Sequence, residues 1–122
     1  MNAQQLDVIR RILDLATSAR VELEYVSDKN REGNFESAAR VLTDVIASFV
    51  QIQEALPVVG LTGENPVQEA SALLQEGFRY YVERYEVRDY AALRNITELT
   101  LLPRYKTWQE ALEQALHLRL AF

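Results

Sequence analysis

The 122-residue chain predicts an all-α fold, an up-down-up-down antiparallel four-helix bundle. Three observations carry that expectation. Apolar side chains recur at alternating spacings of three and four through three successive segments and less regularly through a fourth. No segment shows the two-residue alternation of a strand, and capping residues stand at the segment boundaries. The links at 32–34 and 88–89 are so short that neighbouring helices must run antiparallel. Residues 1–122 read as one domain, large enough to bury a core without covalent staples.

The first helix is expected over 3–31, with Ile9, Ile12, Ala16, Ala19, Leu23 and Val26 as its inward stripe. Asn2 and Gln5 are spaced to cap its start reciprocally, and Gly33 can close it in a left-handed conformation. The second helix, 35–56, follows the N-cap Asn34 and carries Phe35, Ala38, Leu42, Val45, Phe49, Ile52 and Leu56. Pro57 ends it, and 58–64, with Gly60 and Gly63, reads as the one real loop.

The third helix, 66–87, begins with Asn65 and Gln68 in a second capping arrangement, and Pro66 takes the first helical position. Its stripe is Val67, Ser71, Leu74, Phe78, Tyr81 and Tyr85. Gly77 lies mid-helix at a cost of about 1 kcal/mol against alanine, which implies close approach of another helix. The fourth helix, 90–119, starts after the N-cap Asp89 and runs through Tyr90, Leu93, Ile96, Leu101, Tyr105, Trp108, Leu112 and Ala115. Pro103 inside it should kink or break the helix at that point. Val8, Val41 and Val50 flank the stripes and widen the apolar face toward the core.

A repeat runs beneath this pattern. Shifted by 55 residues, Tyr25 falls on Tyr80, Val26 on Tyr81, Asn34 on Asp89 and Phe35 on Tyr90. Beyond Leu102 the shift becomes 56, and Gln53-Glu54-Ala55-Leu56 matches Gln109-Glu110-Ala111-Leu112. Two copies of one helical hairpin, the second longer by one residue near Pro103, would give this pattern and a pseudo-twofold arrangement.

Composition removes most chemistry. With no cysteine there is no disulfide, thiolate metal site or thiol nucleophile. The one histidine, His117, has Gln114 three residues before it, so the paired Glu-x-x-His motifs of a di-iron bundle are absent. No nucleophile elbow, phosphate loop or dinucleotide-binding glycine pattern occurs. The expectation is a protein without catalytic activity, metal or other cofactor. A net charge of −5 argues against a nucleic-acid partner. The chain lacks a continuous apolar run suited to a membrane span, and its polar start does not make a signal peptide, so a cytoplasmic protein is expected.

Segment 79–106 is rich in arginine and tyrosine, the residues that anchor protein interfaces. Much of it also reads as structure: Phe78, Tyr81 and Tyr85 lie on the core stripe, Arg79–Glu83 can pair on the surface, and Tyr80–Arg84 can stack. Residues 34–78 carry six acids against one base, so an acidic helix can simply face a basic neighbour.

The run Leu101-Leu102-Pro103-Arg104-Tyr105-Lys106-Thr107-Trp108-Gln109-Glu110, with Gly33-Asn34-Phe35-Glu36 before it, resembles a family of short uncharacterised helical proteins of Gram-positive bacteria. In architecture the chain is also similar to the small helical-bundle export chaperones. That likeness implies a protein partner. The functional expectation is an adaptor or chaperone-like bundle that binds another protein or itself as a homodimer. Its candidate binding residues are Arg104, Tyr105, Trp108, Leu118, Leu120 and Phe122. The alternative is a bundle enclosing a small apolar ligand, with Tyr81, Tyr85, Tyr105 and Trp108 supplying polarity.

Overall fold

The computed structural model describes residues 1–121. It is an all-α four-helix bundle: α1 (Ala3–Arg31), α2 (Phe35–Ala55), α3 (Pro66–Glu86), and a fourth rod made of α4 (Tyr90–Ile96), a π turn (Thr97–Leu101) and α5 (Leu102–Ala121). Each cap falls where the side-chain chemistry requires it. Gln5 N–H donates to Asn2 Oδ1 at 2.8 Å while Asn2 N–H donates to Gln5 Oε1 at 3.2 Å. Asn34, Asn65 and Asp89 accept from Ser37, Gln68 and Ala92 at the starts of α2, α3 and α4.

Two helix ends differ from expectation. Pro57 does not release the chain into a loop. It sits inside a 3-10 turn, Leu56–Val59, whose buried Leu56 and Val59, with Leu61, close the lower end of the core. Nor does Pro103 break the fourth rod. A proline there cannot donate to the carbonyl of Leu99, and its ring presses on that same carbonyl. The chain relieves both problems one turn earlier, where Leu102 N–H reaches back five residues to the Thr97 carbonyl. That wide turn holds the extra residue that changes the repeat from 55 to 56. The inward stripe also runs one residue past Ala115, to Leu116, which is fully buried.

Gly77 behaves as its position requires. A Cβ there would stand 2.9 Å from Leu101 Cδ2 and 3.4 Å from Thr100 Cγ2, so α3 and the π turn touch through a bare backbone. The centre of the core is aromatic. Phe49 of α2 meets Phe78 of α3 at 5.6 Å and Trp108 of α5 at 5.2 Å, and Trp108 meets Tyr105 at 5.2 Å. Against the expectation that no run is suited to a membrane span, the stretch Phe35–Val59 is long and apolar enough by length and composition to cross one. Here its stripe Ala38, Leu42, Val45, Phe49 and Ile52 lines the core.

The repeat is visible in the two hairpin turns. Gly33 stands at φ +79° after α1, and Arg88, 55 residues on, at φ +59° after α3. Asn34 N–H donates to the Lys29 carbonyl at 2.8 Å, and Asp89 N–H to the Arg84 carbonyl at 2.9 Å. Lys29 lies 5.1 Å over the Tyr25 ring, and Arg84 lies 5.9 Å over Tyr80. The two hairpins therefore share turn, cap and surface stacking.

Candidate interaction surfaces

Of the six residues singled out from sequence, the structure brings few to the surface together. Tyr105 and Trp108 are buried in the core, so neither can meet a partner directly. The Tyr105 hydroxyl donates to the Ala16 carbonyl across the bundle. Burial pushes that phenol far above its ordinary range, against a smaller downward pull from Arg20. The Trp108 indole N–H is buried without a hydrogen-bond partner. Arg104 ties two helices together, donating to the Leu73 carbonyl of α3 at 2.7 Å beside Gly77.

Leu118 and Leu120 are different: they are 59% and 46% exposed on the last turns of α5. Phe122 lies outside the described residues. All of 117–121 is exposed, so α5 overhangs the bundle beyond Leu116. Beside the overhang is an open cleft of about 550 Å³ whose walls include Met1, Val59, Leu61, Leu118 and Arg119. Arg119 stays in place by donating to the Gly60 carbonyl at 2.8 Å, with its guanidinium packed flat on that glycine.

Polar groups bind α1 to the fourth rod. Asn30, fully buried, donates to Thr97 Oγ1 at 3.0 Å and accepts from the Tyr81 hydroxyl at 3.2 Å. Thr97 in turn donates to the Leu93 carbonyl at 2.8 Å, so every member of this network has a partner. Outside it, Arg31 pairs with Glu98 at 2.8 Å, which raises the arginine further by hydrogen bond and charge. The basic-aromatic segment is largely spent on such ties. Arg84 pairs with Asp89 at 3.6 Å, while the expected Arg79–Glu83 pair does not form among the described residues.

Sequence reasoning missed the seam between α2 and α3. Their backbones stand apart along it, and no hydrogen bond or ion pair crosses it among the described residues. Val50, read as core-facing, is 45% exposed, and Val82 is 40% exposed. Beside Val82 lies a largely apolar hollow of about 150 Å³ lined by Ala39, Leu42, Thr43, Ile46, Tyr81, Val82 and Tyr85. The alternation of three and four is the same in α1, α2 and α3, so it gave no sign that the α2/α3 seam is wider.

No group of three or more His, Asp or Glu side chains is placed to hold a metal ion among the described residues. No curated protein matches the chain, and no solved structure does. A family match spans residues 7–111, which takes in α2, α3 and the seam between them, most of α1 and the first half of α5, but stops short of Leu118 and Leu120. The chain belongs to the family described as a domain of unknown function, DUF8042.

Proposed function

We propose that this protein is a non-catalytic, cytoplasmic helical bundle that works by binding protein surfaces, in the manner of an adaptor or a small export chaperone. The observation that carries the reading is the overhang of α5. The core is complete at Leu116, yet Leu118 and Leu120 follow it, both large, apolar and exposed. Covering such a side chain is worth roughly 1.5–3 kcal/mol, so the uncovered pair favours association. A second copy of the chain is the simplest occupant of this end, because closed twofold dimers are the commonest oligomers.

The small-ligand alternative draws no comparable support. Two of its four polar groups are committed elsewhere, since the Tyr81 hydroxyl serves Asn30 and the Tyr105 hydroxyl serves Ala16. The test is removal of residues 118–122, followed by melting and sedimentation. The reading expects stability to change by less than about 0.5 kcal/mol, as for surface positions, while a dimer or a bound partner is lost. A sharp fall in stability, with a monomer before and after, would overturn it.

A further inference from the structure

The pseudo-twofold relation makes a demand that the molecule does not meet. If the hairpins are equivalent, the α2/α3 seam should copy the seam between α1 and the fourth rod. That seam is closed by polar ties. Arg94 donates to the Arg31 carbonyl at 2.7 Å, Asn30 to Thr97 at 3.0 Å, and Arg31 to Glu98 at 2.8 Å, while within α1 Ser27 Oγ accepts from Arg31 at 3.4 Å and holds it toward the seam. Moved by 55 residues, Arg94 becomes Ala39, Thr97 becomes Leu42, Glu98 becomes Thr43, Ser27 becomes Val82 and Asn30 becomes Tyr85. Those five replacements line the hollow. The hollow is thus the polar clasp of one seam with its charged and amide groups removed and its two helices left apart.

Charge separates along the same division. Residues 35–86 hold eight carboxylates against three arginines, a net −5 equal to that of the whole chain, so all other residues balance. The open seam lies between α2 and α3, each of net charge −2, and Glu64 of the loop between them supplies the rest. The hollow itself, at about 150 Å³, has room for one benzene-sized apolar group.

We propose that the α2/α3 seam is the docking site for an amphipathic helix of a partner protein, one whose polar face is basic and whose apolar face places a large side chain in the hollow. Helix-in-groove recognition needs an apolar slot between two parallel ridges, and complementary charge selects the partner. A second copy of this chain does not suit the seam, because twofold pairing there would face two acidic surfaces toward each other. The inference rests on the protein-binding reading but uses a different surface from the α5 overhang.

The full chain is titrated by fluorescence anisotropy with three labelled synthetic peptides. One is a leucine/lysine peptide with leucine at helical spacing, one is its glutamate-for-lysine counterpart, and one is a scrambled leucine/lysine peptide. The proposal expects saturable binding of the first alone. Val82→Glu and Thr43→Glu, both at exposed positions, should weaken it at least tenfold, and circular dichroism should show each variant folded. These substitutions add negative charge while blocking the hollow, so mere charge attraction predicts tighter binding instead. Unchanged or tighter binding by the variants overturns the proposal, as does equal binding of the scrambled peptide or no binding at all. A self-association that Val82→Glu abolishes overturns it too. Removal of 118–122 should leave peptide binding unchanged, so failure of the overhang and failure of the seam are separate results.

Discussion

Phe35 and Tyr90 stack face to face, with ring centroids 4.5 Å apart and planes within 5° of parallel. They are the first residues of α2 and α4 and lie 55 positions apart, so the contact joins corresponding positions of the two hairpins. A double-mutant cycle with Phe35→Ala and Tyr90→Ala should give a coupling of about 0.5–1.5 kcal/mol, the usual worth of an aromatic pair beyond its buried area. Strict additivity in urea melts would show that the rings only happen to lie together.

Arg88 holds a left-handed conformation where the equivalent turn has Gly33. A side chain in that region costs roughly 1–2 kcal/mol. Arg88→Gly should therefore raise stability by about 1 kcal/mol, and Gly33→Ala should lower it by a similar amount. Chemical denaturation of the two variants checks both signs.

Gly77→Val should destabilise by about 1–3 kcal/mol despite removing a helical glycine, because the added carbons enter occupied space beside Leu101. Tyr81→Phe should cost about 1–3 kcal/mol by leaving Asn30 Oδ1 buried without its donor. Thermal melts of the two variants decide each claim, and a neutral Tyr81→Phe would mean that the network is not fully closed in solution.

Tyr105 gives a pH dependence with a definite sign. Burial raises its folded pKa above the unfolded value of about 10. Stability is then full below about pH 10 and declines as pH rises beyond it, since only the unfolded chain ionises freely there. Tyr105→Phe should start lower by about 0.5–1.5 kcal/mol, having lost the bond to Ala16. It should lose less than the wild type between about pH 9 and pH 11. Equal slopes in the two melts would place the phenol in solvent.

The stripes, caps and turns were legible because each is written in adjacent residues. Asn2 with Gln5, Gly33, Pro66 and Asp89 all stand at the ends they mark. Pro103 was legible as a fault but not in its form, since a missing N–H is accommodated where the backbone can widen, one turn away at Thr97–Leu101. Tyr105 and Trp108 looked like interface residues from their type, yet their place on the stripe decided their burial. Leu118 and Leu120 were readable as surplus because the stripe stops before them. The open seam was not readable, because it depends on which polar pairs meet across helices 67 positions apart, as Asn30 and Thr97 do.

The unequal closure of two equivalent seams is the central claim, and one comparison tests it most directly. Ser27 and Val82 are the same position of the two hairpins, one 2% exposed in the clasped seam and the other 40% exposed in the open one. Phenylalanine at each is measured by thermal and urea unfolding. Ser27→Phe should cost about 1–3 kcal/mol through overpacking, whereas Val82→Phe should stay within about 0.5 kcal/mol of wild type. Equal losses at both positions would mean that the α2/α3 seam is as closed as its counterpart, and the docking site would go with it.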